Sequence, residues 1–416
     1  MYKSSLLILI FSIINAHLHY GQSVSEQAPP EFIKTITFST PGSLNELPVI
    51  ELRQPLILEF DDINGNEADY YYTIEHFNFD WTPSVLAKAE YMSGLDNQRV
   101  FEYYNSFNAY QMYSHYRLKI PNNQLKGLLK TGNYLLSIYN DIDELVFSRK
   151  FIVYKDESAV GVQVKRSRDM AHINTKQNIE ITINPRNTLT NPAETVKTKL
   201  IQNNNLKTAI TDLKPQYILG KTLSYRYNEE SSFWAGNEYF FFDTKDVRAA
   251  NNSIQFIDLD DIYQSYLFTN IQRSNLPYTY NPDINGTFKV NALNTSNTSI
   301  EADYTNVHFS LDSKLLENQN VFVYGNFNNF ELNESNLMAY DPIKKRYQCN
   351  LKFKQGFYNY KFVVLDSYGN LNEGAISGNH WQTENNYKVI VYYRPLGGRY
   401  DQVIGYGGAN SSFITN

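Results

Sequence analysis

Residues 69–84, DYYYTIEHFNFDWTPS, place six aromatic side chains in sixteen positions and constrain the fold more than any other part of the chain. A surface loop has no use for that much ring surface. Read with a period of two, Tyr70, Tyr72, Ile74, His76 and Asn78 share one face and Tyr71, Thr73, Glu75, Phe77 and Phe79 the other, so both faces carry rings. This content favours a strand, and Asp80, Trp81, Thr82 and Pro83 end it with turn formers and a proline that cannot extend a ladder. Such a strand belongs in the middle of a β-sandwich.

Alternating segments surround it at 32–40, 48–62, 113–120, 134–139 and 145–154, which brings the first unit to about seven strands, the number of one immunoglobulin-like sandwich. The DDINGNEAD run at 61–69 reads as a hairpin loop with Asn64 and Gly65 at its tip. It does not read as a calcium loop, because Glu67 stands where the helix–loop–helix site needs glycine. Residues 84–91 read as a short helix capped by Ser84. The 416 residues exceed one sandwich and fit two or three domains at roughly 100–200 residues each. A polar break at 155–158 opens a second unit, with alternation at 160–165 and 179–183 and a ring-rich run at 238–243. The Asn-rich run at 281–299 marks the next boundary. The expected architecture is therefore all-β, with tandem immunoglobulin-like or early-set sandwiches over 22–155, 156–299 and 300–395, then a Gly-rich tail at 396–416 that is a poor sheet interior.

At the N-terminus, Lys3 precedes an apolar run at 6–14 and then polar residues, the layout of a cleavable secretory signal over 1–21, cut before Gln22. The run is too short to anchor the chain, since a helix needs ~20 apolar residues to span a bilayer. Cys349 is the sole cysteine, so no intramolecular disulfide forms and none is placed near the leader to accept a lipid; it reads as a small buried residue. A net charge of −6 provides no field for nucleic acid. No cofactor or metal motif is present. His76, His115 and His380 lack metal-ligand spacing, and His76 reads as a histidine hydrogen-bonded in a packed sheet. Glu75 and Asp80 are the pair that a glycosidase reading would need.

The segments YYYTIEHFNFDW (70–81), HYRLKIPN (115–122), TGNYLLSIYN (131–140), VGVQVKRSRD (160–169) and GGRYDQVIGY (397–406) resemble the plug proteins of the type IX secretion system, a Bacteroidetes outer-membrane export machine. The resemblance implies a non-enzymatic periplasmic plug that binds and occludes the outer-membrane β-barrel translocon, with no catalytic residue. Candidate contacts with the translocon are Trp81 on an exposed edge of the first domain, and Arg394, Arg399, Tyr400 and Tyr406 in or beside the tail, residue types enriched at interface anchors. The alternative is a carbohydrate-binding protein acting through its third domain. Residues 321–331, 356–366 and 383–393 resemble early-set glycogen-binding modules, with Lys361 and either Asn385 or Asn386 at sugar-contacting positions and Phe330 where the first stacking tryptophan stands, so the site reads as vestigial.

Overall fold

The computed structural model describes residues 23–211 and 213–414; the expected leader lies outside the described residues. Strands make up 46% of the chain and helix 6%, arranged in several sheets. The first unit packs a sheet of Ile33–Ser39, Leu56–Asp62, Ser114–Ile120 and Glu102–Asn105 on a second of Val49–Glu51, Leu145–Tyr154, Gly132–Tyr139, Tyr71–Phe77 and Gln98–Arg99. Tyr71–Phe77 is interior to its sheet, between Gly132–Tyr139 and Gln98–Arg99. Its Tyr72 and Ile74 enter one core with Phe60, Tyr134 and Phe151, each such side chain contributing about 1.5–3 kcal/mol by burial.

Two local expectations are corrected. Leu56–Asp62 and Tyr71–Phe77 lie in different sheets, so residues 63–70 cross the sandwich instead of closing a hairpin. Asp62 takes up the turn, accepting the Asn64 amide at its carboxylate (2.9 Å) and the Gly65 amide at its carbonyl (3.2 Å). The helix is a single turn, Lys88–Tyr91. Ser84 donates its amide to the His76 carbonyl at 3.0 Å, which holds residues 84–87 in the strand-terminal turn.

The second unit is discontinuous. One of its sheets joins Ser158–Arg166, Lys176–Pro185, Thr222–Tyr225 and Tyr217–Leu219; the other joins Ile210–Thr211, Val196–Gln202, Asn386–Tyr393 and Gln402–Asn410. The boundaries expected at 299/300 and 395/396 therefore do not coincide with the sheets. Asn386–Tyr393 pairs along Val196–Gln202, and the Gly-rich tail forms a nine-residue strand paired with Asn386–Tyr393. The glycines belong there because another strand comes close. A Cβ on Gly405 would sit 2.9 Å from the Ser158 carbonyl oxygen, and one on Gly407 2.5 Å from that of Val160.

The third unit is the chain between Trp234 and Asn385. Its long strand Gly356–Asp366 pairs with Phe240–Asp243, Phe288–Val290 and Gln319–Tyr324, and it faces a sheet containing Ile254–Leu259, Tyr263–Leu267, Tyr304–Asp312 and Arg346–Lys354. The ring-rich run at 238–243 and the Asn-rich run at 281–299 both belong here, not to the second unit. Phe242 stacks on Tyr358 at 5.0 Å and meets Phe353 edge-on at 5.0 Å in its core. Cys349 is half-buried, donates to the Ser335 carbonyl, and has its thiol pushed up to about 11 by burial, as an inert packed residue should.

Where the inserted unit joins the second, Glu238 is buried, accepting from the Tyr278 hydroxyl and the Glu384 amide, while its other carboxylate oxygen has no partner. Burial pushes its carboxyl up to about 7. A raised acid pKa contributes stability that is fully present below the ordinary 4.5 and is lost as pH rises through about 7. Glu238→Gln, permanently neutral, is expected to match the wild-type stability at pH 5 and to exceed it at pH 8 by on the order of 1–2 kcal/mol, seen as a higher melting temperature there. Equal melting temperatures at both pH values would contradict this.

Candidate functional site

The turn after the organising strand is where the units converge, and nearly every polar group of its backbone is accounted for. The Asn78 carbonyl accepts from the Asn133 side-chain amide at 2.7 Å, and that of Phe79 from the Lys199 ammonium at 3.1 Å. The Phe79 amide donates to Asp401 at 3.0 Å, and the Trp81 carbonyl accepts from the Val24 amide at 3.0 Å. Trp81 itself has φ of 63°. For so bulky a residue this left-handed conformation is an outlier costing about 1–3 kcal/mol, which persists only where the surroundings fix it. Here those bonds fix it.

Apolar packing closes the junction. Phe79 and Ile152 of the first unit cluster with Ile201, Ile390, Tyr392 and Val403 of the second, and the Tyr392 hydroxyl donates to Asn133 at 2.6 Å. A second seam joins the first unit to the third through buried charge. Asp61 accepts from Lys354 (2.7 Å), His115 (2.7 Å) and Tyr304 (2.6 Å).

Beside the turn lies a cavity of about 800 Å³ with Phe79 and Trp81 in its wall and four lysines around it, Lys150, Lys197, Lys199 and Lys207. The Lys150 ammonium lies 4.3 Å from the centre of the Trp81 ring, and those of Lys197 and Lys199 each lie 5.0 Å from that of Phe79. Cations over ring faces are held by about 0.5–2 kcal/mol, more as water is excluded. Burial lowers the Lys150 pKa, opposed by Glu26 and reinforced by Lys207. The arrangement suits an anion. These lysines escaped the sequence reading because they come from three separate segments; basic residues two positions apart at 197 and 199 are the only local trace.

The structure redistributes the expected contact residues. Trp81 is buried, at 7% exposure, and not on an exposed edge. Arg394 forms a two-pronged pair with Asp401 (2.9 and 2.8 Å) and reaches Asn78. Arg399 pairs with Glu90 at 2.7 Å, Tyr400 meets His76 edge-on, and Tyr406 packs against Tyr154. All four bind the end of the chain to the first unit. His76 is buried as expected, bonded to the Thr131 carbonyl at 3.0 Å. The sugar-contacting positions are likewise consumed. Phe330 is buried against Tyr324, and Lys361 pairs with Glu373 beneath Tyr239. Asn385, in the second unit, is buried among Gln177, Asn203 and Ala235.

Asp80 borders the cavity with its carboxylate turned to the Thr82 hydroxyl (2.6 Å) and amide (3.1 Å); burial raises its pKa, but these bonds outweigh that and lower it. Glu75 is exposed and is not among the lining residues. Among the described residues no group of three His, Cys, Asp or Glu is placed to hold a metal ion, and no helix is long and apolar enough to cross a membrane.

Residues 33–155 match the family model of the type 9 secretion system plug protein first domain. A crystal structure of a hypothetical protein from Parabacteroides merdae is similar at 31% identity and a TM-score of 0.88, the match covering 92% of this chain and 98% of that one. No curated protein matches.

Proposed function

Because the chain belongs to the type IX secretion system plug family, we propose that it is a non-enzymatic periplasmic plug that binds and occludes the outer-membrane β-barrel translocon. The family match over the unit built on the organising strand carries this reading. The seams support it: a stopper for a wide aqueous pore must not flex open, and domains joined by small polar interfaces move by default. Here each seam buries side chains in apolar clusters or charge networks instead.

Arg394, Arg399, Tyr400 and Tyr406 each contact the first unit, with the two arginines 41% and 56% exposed. A better surface for the translocon is the edge strand Glu102–Asn105 and the residues beside it, where Phe101, Phe107 and Met112 are 64%, 68% and 70% exposed. Clustered exposed apolar side chains on an unpaired edge mark protein contacts. The loop is also held in place, with the Phe107 amide bonded to the Ile300 carbonyl at 2.8 Å and that of Tyr110 to Asp303 at 3.0 Å.

Affinity purification of a tagged chain from the outer-membrane fraction tests the proposal. Recovery of the large barrel in stoichiometric amount is expected, together with pore leakage in a strain lacking the chain. Phe101→Asp combined with Phe107→Asp should cut that recovery about tenfold or more without moving the melting temperature. A tagged chain that elutes alone would overturn the plug reading.

A further inference from the structure

The lysine-lined cavity is larger than rigidity requires, and its charges are incompletely matched. Among the described residues three carboxylates border it, and each has hydrogen-bond partners other than the Lys150 and Lys197 ammonium groups. Glu331 pairs with Lys207 at 2.6 Å and Asp80 is held by Thr82. Glu26 accepts from the Lys150 backbone amide at 2.7 Å and the Asn329 side chain at 2.9 Å. Among the described residues neither Lys150 nor Lys197 has a carboxylate within ion-pair distance; each faces a ring instead. Two partly buried ammonium groups over aromatic faces, beside a space of about 800 Å³, form a receptor for carboxylates attached to something apolar.

The chain shows the shape of what fits. Residues 24–27 run extended along one wall, with Val24 bonded to the Trp81 carbonyl and Gln27 exchanging bonds with Ser148, its amide to the Ser148 hydroxyl (2.8 Å) and its carbonyl from the Ser148 amide (3.2 Å). This segment brings Glu26 to Lys150, while Lys197, on the strand Val196–Gln202, feels the Asp80 carboxylate only beyond ion-pair distance. We propose that the cavity receives an extended acidic peptide segment of a partner protein, its carboxylates pairing with Lys150 and Lys197. A lone inorganic anion would leave most of the space empty, and the lining holds no arginine to fork onto a phosphate. The volume lies within the range of sites that enclose a ligand of several hundred Å³.

The test uses the purified full chain and needs no translocon, so it fails or succeeds independently of the plug reading. A short fluorescein-labelled peptide of alternating Glu and Phe is titrated by fluorescence anisotropy, beside the same peptide with Gln for Glu. Binding of the acidic peptide alone is expected, weakening with salt and falling about tenfold or more in the Lys150→Gln, Lys197→Gln double variant, with Lys150→Arg, Lys197→Arg largely retaining it. Unfolding midpoints show that the variants are folded; if the double variant is not, Lys197→Gln alone, on the half-exposed side, serves in its place. Equal binding of the two peptides, affinity unchanged in the folded glutamine variant, or binding of inorganic polyphosphate with none of the acidic peptide would overturn the proposal.

Discussion

Lys354→Ala is expected to destabilise the chain by about 3–5 kcal/mol, because it strands a buried carboxylate. Lys354 and Asp61 are each about 1% exposed, and the lysine also donates to the Ser299 carbonyl at 2.7 Å. Tyr304 gives its proton to Asp61 and accepts from Thr35, so the cluster has no spare donor to replace the ammonium. The Asp61→Asn, Lys354→Met double variant should recover much of the loss, since removing both charges leaves neither unpaired.

The same cluster sets a pH window. Burial alone would lower the His115 pKa, but Asp61 and Glu59 outweigh it, and Lys354 opposes them without prevailing, so the imidazole titrates above its ordinary 6.5. Its contribution is fully present below 6.5 and is lost as pH rises through the folded value. Burial raises the Asp61 carboxyl, yet Lys354 and His115 hold it below its ordinary 3.8, so its contribution is present above 3.8 and lost on acidification. Urea midpoints measured against pH should decline on the alkaline side, and His115→Gln should flatten that decline. An unchanged slope would show that His115 is neutral throughout.

Asp401→Ala is expected to loosen the first unit from the second at a cost of about 3 kcal/mol, the scale for a buried charged group whose partners are left unpaired. Asp401 is 3% exposed and satisfies the Arg394 guanidinium and the Phe79 amide at once. Without it the turn bearing Trp81 loses one of the bonds that fix its left-handed backbone, so the strain there has less to oppose it. Calorimetry should show a single transition in the wild type separating into two, the first unit melting apart from the others. A lowered but undivided transition would mean that the apolar contacts of Ile152, Ile201, Ile390 and Tyr392 couple the units on their own.

The strands of the first unit were legible because their signal is local. Alternation and ring content in 71–77, 114–120, 132–139 and 145–154 follow the two-residue period of a pleated strand, and the structure has strands at those places. What could not be read was pairing at a distance. Nothing near Asn386 says that its partner strand is Val196–Gln202, so the third unit was given a strand belonging to the second. The glycines at 405 and 407 signalled a loop because their reason for being small, the backbone of Ser158 and Val160, is some 250 residues away in sequence (158 to 405 spans 247 positions). Trp81 reads as exposed from sequence and is buried in the structure, because a tryptophan in a turn looks exposed until another unit covers it. Lys361 and Asn385 fail as a sugar pair for the converse reason: they lie in different units.

The split second sandwich imposes an order of assembly on a chain made from its N-terminus. All strands of the first unit have emerged by Tyr154, and those of the inserted unit by Asn372, but the middle one waits for Gln402–Asn410. Until then Asn386–Tyr393, the partner of Val196–Gln202, has an open flank, and the core of Ile181, Leu200 and Tyr225 lacks Ile404. A chain cut short before its last strand would display a sticky, protease-accessible centre between two finished ends.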